Sequence, residues 1–79
     1  MVRVRLFAAL REAAGAGEVE VPAAALGTVL DGLRARYGEP FAAVLRCASV
    51  LVDGRRCSDE TAPVPDGAEV ALLPPFSGG

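Results

Sequence analysis

One amphipathic helix pattern set among short strand-like runs constrains this chain more than any other feature. Thr28 and Asp31 stand at capping-box spacing, with Asp in place of the usual Glu or Gln. Val29, Leu30, Leu33 and Tyr37 then fall on one helical face. Arg34 and Arg36 sit in the last turn, where the helix dipole favours cations, and Gly38 and Pro40 end the element. A helix with one apolar stripe can cover only one face of one sheet. With 79 residues there is room for one such core and not for two.

The flanking segments supply the sheet. Val2, Val4 and Leu6 alternate with Arg3, Arg5 and Phe7, which reads as a half-buried strand. Ala8–Ala14 favours a short helix, broken by Gly15-Ala16-Gly17. Glu18–Val21 alternates again up to Pro22. Between Glu39 and Cys47 a further helical turn is expected, with Phe41, Val44 and Leu45 inward. Val50-Leu51-Val52 and Arg55-Arg56-Cys57 flank Asp53-Gly54, a two-residue hairpin signal of the primed kind. Pro65-Asp66-Gly67 is a second turn, and Glu69–Leu73 the last strand. The expected architecture is an α+β roll, one sheet with one main helix on one face.

Composition narrows the chemistry. A net charge of −2 offers no basic face for nucleic acid and no basic amphipathic stretch for an anionic membrane. No apolar run approaches the roughly 18 residues of a membrane span, and Met1-Val2-Arg3-Val4-Arg5 is not a signal peptide, so a cytoplasmic protein is expected. There is no His, the usual near-neutral base and the commonest metal ligand. All eight basic residues are Arg, which leaves no Schiff-base or P-loop lysine. Such a chain is not expected to be an enzyme alone. Cys47 and Cys57, without His or a second close pair, do not make a zinc site and are expected to be packed thiols. Arg3, Arg5, Arg55 and Arg56 read as solvated or edge-protecting charges.

Residues 74–79 form a distinct tail, Pro74-Pro75-Phe76-Ser77-Gly78-Gly79. Two prolines favour an extended stem, and six extended residues reach about 20 Å. Gly78 and Gly79 carry no Cβ, so this end can enter a narrow channel. Phe76 comes too late in the chain to join the core and is expected to meet a partner. Phe7 shares a strand face with Arg3 and Arg5: it either lies outside the core, open to a partner, or packs on the short helix behind it.

The ending from Asp66 to Gly79 resembles that of MoaD proteins, the small subunit of molybdopterin synthase. The strand ending in Phe7, Arg11-Glu12 in the short helix, and Val52-Asp53-Gly54 (where Asn-Gly is more usual) are similar too. The resemblance implies a ubiquitin-like β-grasp domain over residues 1–73, a mixed sheet, and a Gly-Gly tail over 74–79. It implies a non-catalytic sulfur carrier for molybdenum cofactor biosynthesis, with the catalytic groups on the large subunit. A MoeB-type enzyme would use ATP to adenylate the Gly79 carboxylate. A sulfur donor would convert it to a thiocarboxylate, and the tail would deliver sulfur to a pterin precursor in the MoaE-type large subunit. The carrier itself would bind no metal or cofactor. Phe7, Arg11, Leu73, Pro74, Pro75, Phe76 and Ser77 would contact partners, and Gly78 and Gly79 would enter the active site.

Three other roles fit the same residues. A ThiS-like carrier would serve thiamine or cysteine synthesis. A ubiquitin-like modifier would transfer the activated glycine to a protein amine. A plain interaction domain would keep its function without Gly78 and Gly79.

Overall fold

The computed structural model of the chain describes residues 1–75. Its elements run β1 (Val2–Leu6), α1 (Ala8–Ala14), β2 (Glu18–Val21), β3 (Ala24–Ala25), α2 (Leu26–Tyr37), α3 (Phe41–Leu45), β4 (Ser49–Val52), β5 (Arg55–Arg56), β6 (Pro63–Val64) and β7 (Glu69–Leu73). Five strands form one sheet in the order β2-β1-β7-β4-β5, and β3 pairs with β6 in a second, two-stranded sheet. β1 and β7 are parallel, while the other pairs in the main sheet are antiparallel. The first and last strands of the chain therefore lie side by side at its centre. This is the mixed β-grasp sheet expected above, with α2 packed on one face.

The alternation of β1 is fully expressed: Val2, Val4 and Leu6 are buried, while Arg3 and Arg5 are exposed. Val70 and Leu72 of β7 and Leu26, Val29, Leu30 and Leu33 of α2 meet them in the same core. Phe41 is fully buried at its end, and Tyr37 tilts against it with ring centroids 4.9 Å apart. Such tilted aromatic pairs add about 0.5–1.5 kcal/mol beyond area burial. Among the described residues no helix is long and apolar enough to cross a membrane.

Helix α2 corrects one sequence expectation. It begins at Leu26, with Ala25 as N-cap and no side-chain cap, so Thr28 lies inside the first turn rather than ahead of it. Free N–H groups at a helix start need acceptors. Here Leu26 N–H donates to the Ala62 carbonyl at 2.9 Å and Gly27 N–H to the Glu60 carbonyl at 2.8 Å. A tertiary loop replaces the local capping box, and Asp31 instead pairs with Arg34 at 2.7 Å. The loop approaches so closely that a Cβ on Gly27 would lie 3.2 Å from the Glu60 carbonyl oxygen.

That capping loop is braced by Asp59, whose carboxylate accepts from the Thr61 hydroxyl at 2.6 Å and from the Thr61 N–H at 2.9 Å. The hydroxyl bond, then the N–H bond, holds the Asp59 carboxyl below its ordinary range. A depressed carboxyl stabilises the fold above its unfolded pKa, and the contribution fades as pH falls through the folded value. Asp59 is fully exposed, so solvent screens most of this effect.

The Asp53-Gly54 hairpin is a primed turn as expected, with φ of 49° and 82° at its two central residues. Asp53 also ties the turn to β7 by accepting from the Glu69 N–H at 2.9 Å. A β-branched residue at Gly54 is forced into the left-handed region. Gly54→Val should therefore cost about 1–2 kcal/mol, read as a lower urea midpoint with an unchanged m-value.

Candidate functional site

The helices leave the other face of the main sheet open, and the strand register fixes what stands there. One row crosses all five strands: Glu18 opposite Arg5, Arg5 beside Ala71, Ala71 opposite Leu51, and Leu51 opposite Arg56. The charged ends of that row are exposed, while Ala71 and Leu51 are half-buried. In the next row Leu73 pairs with Ser49. Phe7 follows the Leu6–Leu72 pair with extended dihedrals (φ −125°, ψ 152°), which places it on the open side beside Leu73. The face thus carries an apolar strip of Phe7, Leu73, Ala71 and Leu51 between arginines and glutamates.

Phe7 is neither free nor fully packed. It is half-buried, and the Arg5 guanidinium lies over its ring at 5.4 Å from the centroid. Such an exposed cation–π contact contributes about 0.5–1 kcal/mol and holds the ring against the sheet. Arg3 Nε reaches Glu18 Oε2 at 3.4 Å on the same face. Both side chains are more than half exposed, so this pair contributes little stability and remains available for exchange.

Of the residues expected to meet partners, the fold brings Phe7 and Leu73 together. Arg11 stands apart on α1, exposed, its Nε 3.4 Å from where a Cβ on Gly17 would lie. Pro74 is buried and Pro75 is exposed. Phe76, Ser77, Gly78 and Gly79 lie outside the described residues. Leu51, Ala71 and Arg56 join the face without having been expected there. The parity of their strands could have revealed them once the register was known. Cys57 packs against the core as expected, whereas Cys47 corrects the expectation: it is exposed, just beyond α3.

The tail leaves the domain from β7, the central strand, held on both sides by β1 and β4. Its root, at Leu73, adjoins the Phe7–Leu73–Ser49 row. A ubiquitin-like β-grasp domain with an apolar open face beside a Gly-Gly tail defines a class of small carrier and modifier proteins. The chain belongs to the ThiS family, whose model matches residues 4–79, and it has that family's ubiquitin-like sulfur-carrier fold. No curated protein sequence matches it.

Among solved structures, it is similar to the small archaeal modifier SAMP1 of Haloferax volcanii, at 31% identity and a TM-score of 0.78, covering 99% of this chain and 98% of that one. It is similar to CysO in the BexX/CysO complex of Amycolatopsis orientalis, at 25% identity and a TM-score of 0.81, with both chains covered in full (100% and 100%). It also resembles a Pyrococcus furiosus protein assigned as molybdopterin converting factor, subunit 1, at 26% identity and a TM-score of 0.78, covering 94% of this chain and 95% of that one.

Proposed function

We propose that this protein carries sulfur for molybdenum cofactor biosynthesis on the carboxylate of Gly79. The observation that carries the reading is that β7, the strand leading into the Gly-Gly sequence, ends at Leu73 within the apolar strip. A carboxylate is a poor electrophile, so activation comes first. An oxygen of the Gly79 carboxylate attacks the α-phosphorus of ATP on a MoeB-type enzyme, and pyrophosphate leaves. Hydrosulfide from the sulfur donor then attacks the carbonyl carbon of the acyl-adenylate; the C–S bond forms as the C–O bond to AMP breaks, and a thiocarboxylate remains. Docked on a MoaE-type large subunit, the tail gives that sulfur to the pterin precursor. The carrier supplies the reacting terminus and the docking face, and the partners supply ATP, acid–base groups and the pterin pocket. The likeness to a molybdopterin converting factor subunit 1 supports this destination.

The test is intact mass after incubation with the cognate adenylating enzyme, ATP and a sulfur source. Expected is the mass increase of one oxygen replaced by sulfur, localised to Gly79, followed by its loss on adding the large subunit and pterin precursor. A thiocarboxylate that this pair never discharges would rule out the pterin destination.

A second reading is favoured by the 31% identity to an archaeal modifier protein: transfer of the activated glycine to amines of other proteins. Isopeptide-linked adducts in cell extracts, absent when Gly79 is deleted, distinguish it.

The open face gives a further prediction. Phe7→Glu places a carboxylate in the apolar strip and removes the ring under Arg5. Loss of an interface anchor costs about 2 kcal/mol or more, or roughly thirtyfold in Kd. Calorimetric titration against the large subunit checks this, with a melting curve showing the variant folded at the assay temperature as control. An unaltered Kd would move Phe7 off the interface.

A further inference from the structure

Beside α2 and α3, at the β4–β5 side of the sheet, lies an open-sided groove of about 830 Å³, whose lining includes Ser49 and Arg56 from the rows of the open face. Beneath it lie buried Leu30 of α2 and Leu45 of α3 and half-buried Val50 of β4. Arg34, Arg46 and Arg56 line it from three separate elements, against a single acid, Glu60. Glu60 packs on Gly27, whose backbone lies about 10 Å along α2 from that of Arg34. The groove is thus locally cationic on a chain whose net charge is −2.

These guanidiniums are lightly engaged. Arg46 and Arg56 form no ion pair among the described residues, and Arg56 makes only a long 3.4 Å bond to the Ser49 hydroxyl. Arg34 pairs with Asp31, whose side chain is 75% exposed, so a partner carboxylate can replace it at little cost. Arginines from α2, from the end of α3 and from β5, spread along one groove, suit an extended acidic segment. The groove is also joined to the tail. Ser49 lines it and pairs with Leu73, the last residue of the strand that carries the tail.

We infer that this groove is a second docking site, occupied by an acidic segment of the enzyme that adenylates the tail. The inference rests on the carrier reading only in requiring that the tail be activated, a step shared by delivery to a pterin, to another metabolite or to a protein amine.

The full chain supplies its own reporter, because Cys47 is exposed and lines the groove, as does the half-buried Cys57. The cognate adenylating enzyme at saturation should slow iodoacetamide alkylation of Cys47 several-fold relative to the free chain. In ATP-dependent pyrophosphate release, Arg46→Glu should raise KM for the carrier about tenfold, the equivalent of about 1.4 kcal/mol, with kcat unchanged. Its salt dependence should be shallower, and Arg46→Lys should restore the KM. Arg46 is exposed, so these variants fold. A wild-type KM and salt dependence for Arg46→Glu, or Cys47 alkylated at its free rate in the complex, would overturn the docking site while leaving the carrier reading intact. No pyrophosphate from the wild-type chain, with an enzyme active on another carrier, would overturn the carrier reading and this site together.

Discussion

Deleting Gly79 is expected to abolish thiocarboxylate formation while leaving the melting temperature unchanged. Among the described residues the hydrophobic core runs from Val2 to Leu72, and the fold is expected to stand without Gly79. The deletion leaves a carboxylate on Gly78 but cuts the greatest reach of the tail by about 3.5 Å. Misplacing a reacting atom by about 1 Å can cost roughly a hundredfold in rate, and this displacement is larger. Adding one residue after Gly79 should fail equally, because the carboxylate then overshoots the nucleotide. The control is the melting curve, and the readout is the sulfur-for-oxygen mass shift. A truncated chain thiocarboxylated at the full rate would leave the interaction-domain reading as the better one.

Phe41→Ala is expected to have the largest effect on stability. Phe41 is fully buried, stacks against Tyr37 and starts α3, which closes the core beyond the end of α2. Emptying such a site costs about 3–5 kcal/mol through lost transfer energy and the cavity left behind. At about 0.05–0.15 kcal/mol per residue, a domain of this length has roughly 4–12 kcal/mol in total. The variant should therefore lose about a quarter or more of its stability, measured by chemical denaturation. A loss under about 1 kcal/mol would mean that the core collapses into the gap, and that α3 is less tightly coupled than its burial indicates.

Sequence periodicity revealed those parts of the fold whose causes are local. The alternation of Val2, Val4 and Leu6 predicts β1, Glu69–Leu73 forms the expected last strand, and Asp53-Gly54 forms its primed turn. The start of α2 was not legible, because its cap consists of two carbonyls from a loop more than thirty positions away, at Glu60 and Ala62. β3 and β6 escaped notice because two-residue strands show no alternation, and one of them contains Pro63.

Legibility of the site follows the same division. The outward parity of Phe7 was visible along one strand. Its placement beside Leu73, by contrast, depends on the parallel β1–β7 register, which no single segment encodes. The arginine groove was wholly illegible: Arg34 read as a helix-end charge, Arg56 as an edge charge and Arg46 drew no reading, and only the fold brings α2, the end of α3 and β5 together.

The central position of β7 has a mechanical consequence. A partner drawing the tail into a channel pulls β7 along its own axis, with β1 and β4 bonded along its two edges. Ladder hydrogen bonds run across the strands, so this load falls on both ladders in shear and is shared by many bonds at once. A tail hung from an edge strand would peel away one bond at a time. The domain can therefore act as a stiff handle, transmitting tension at the tail to the whole docking face without unravelling.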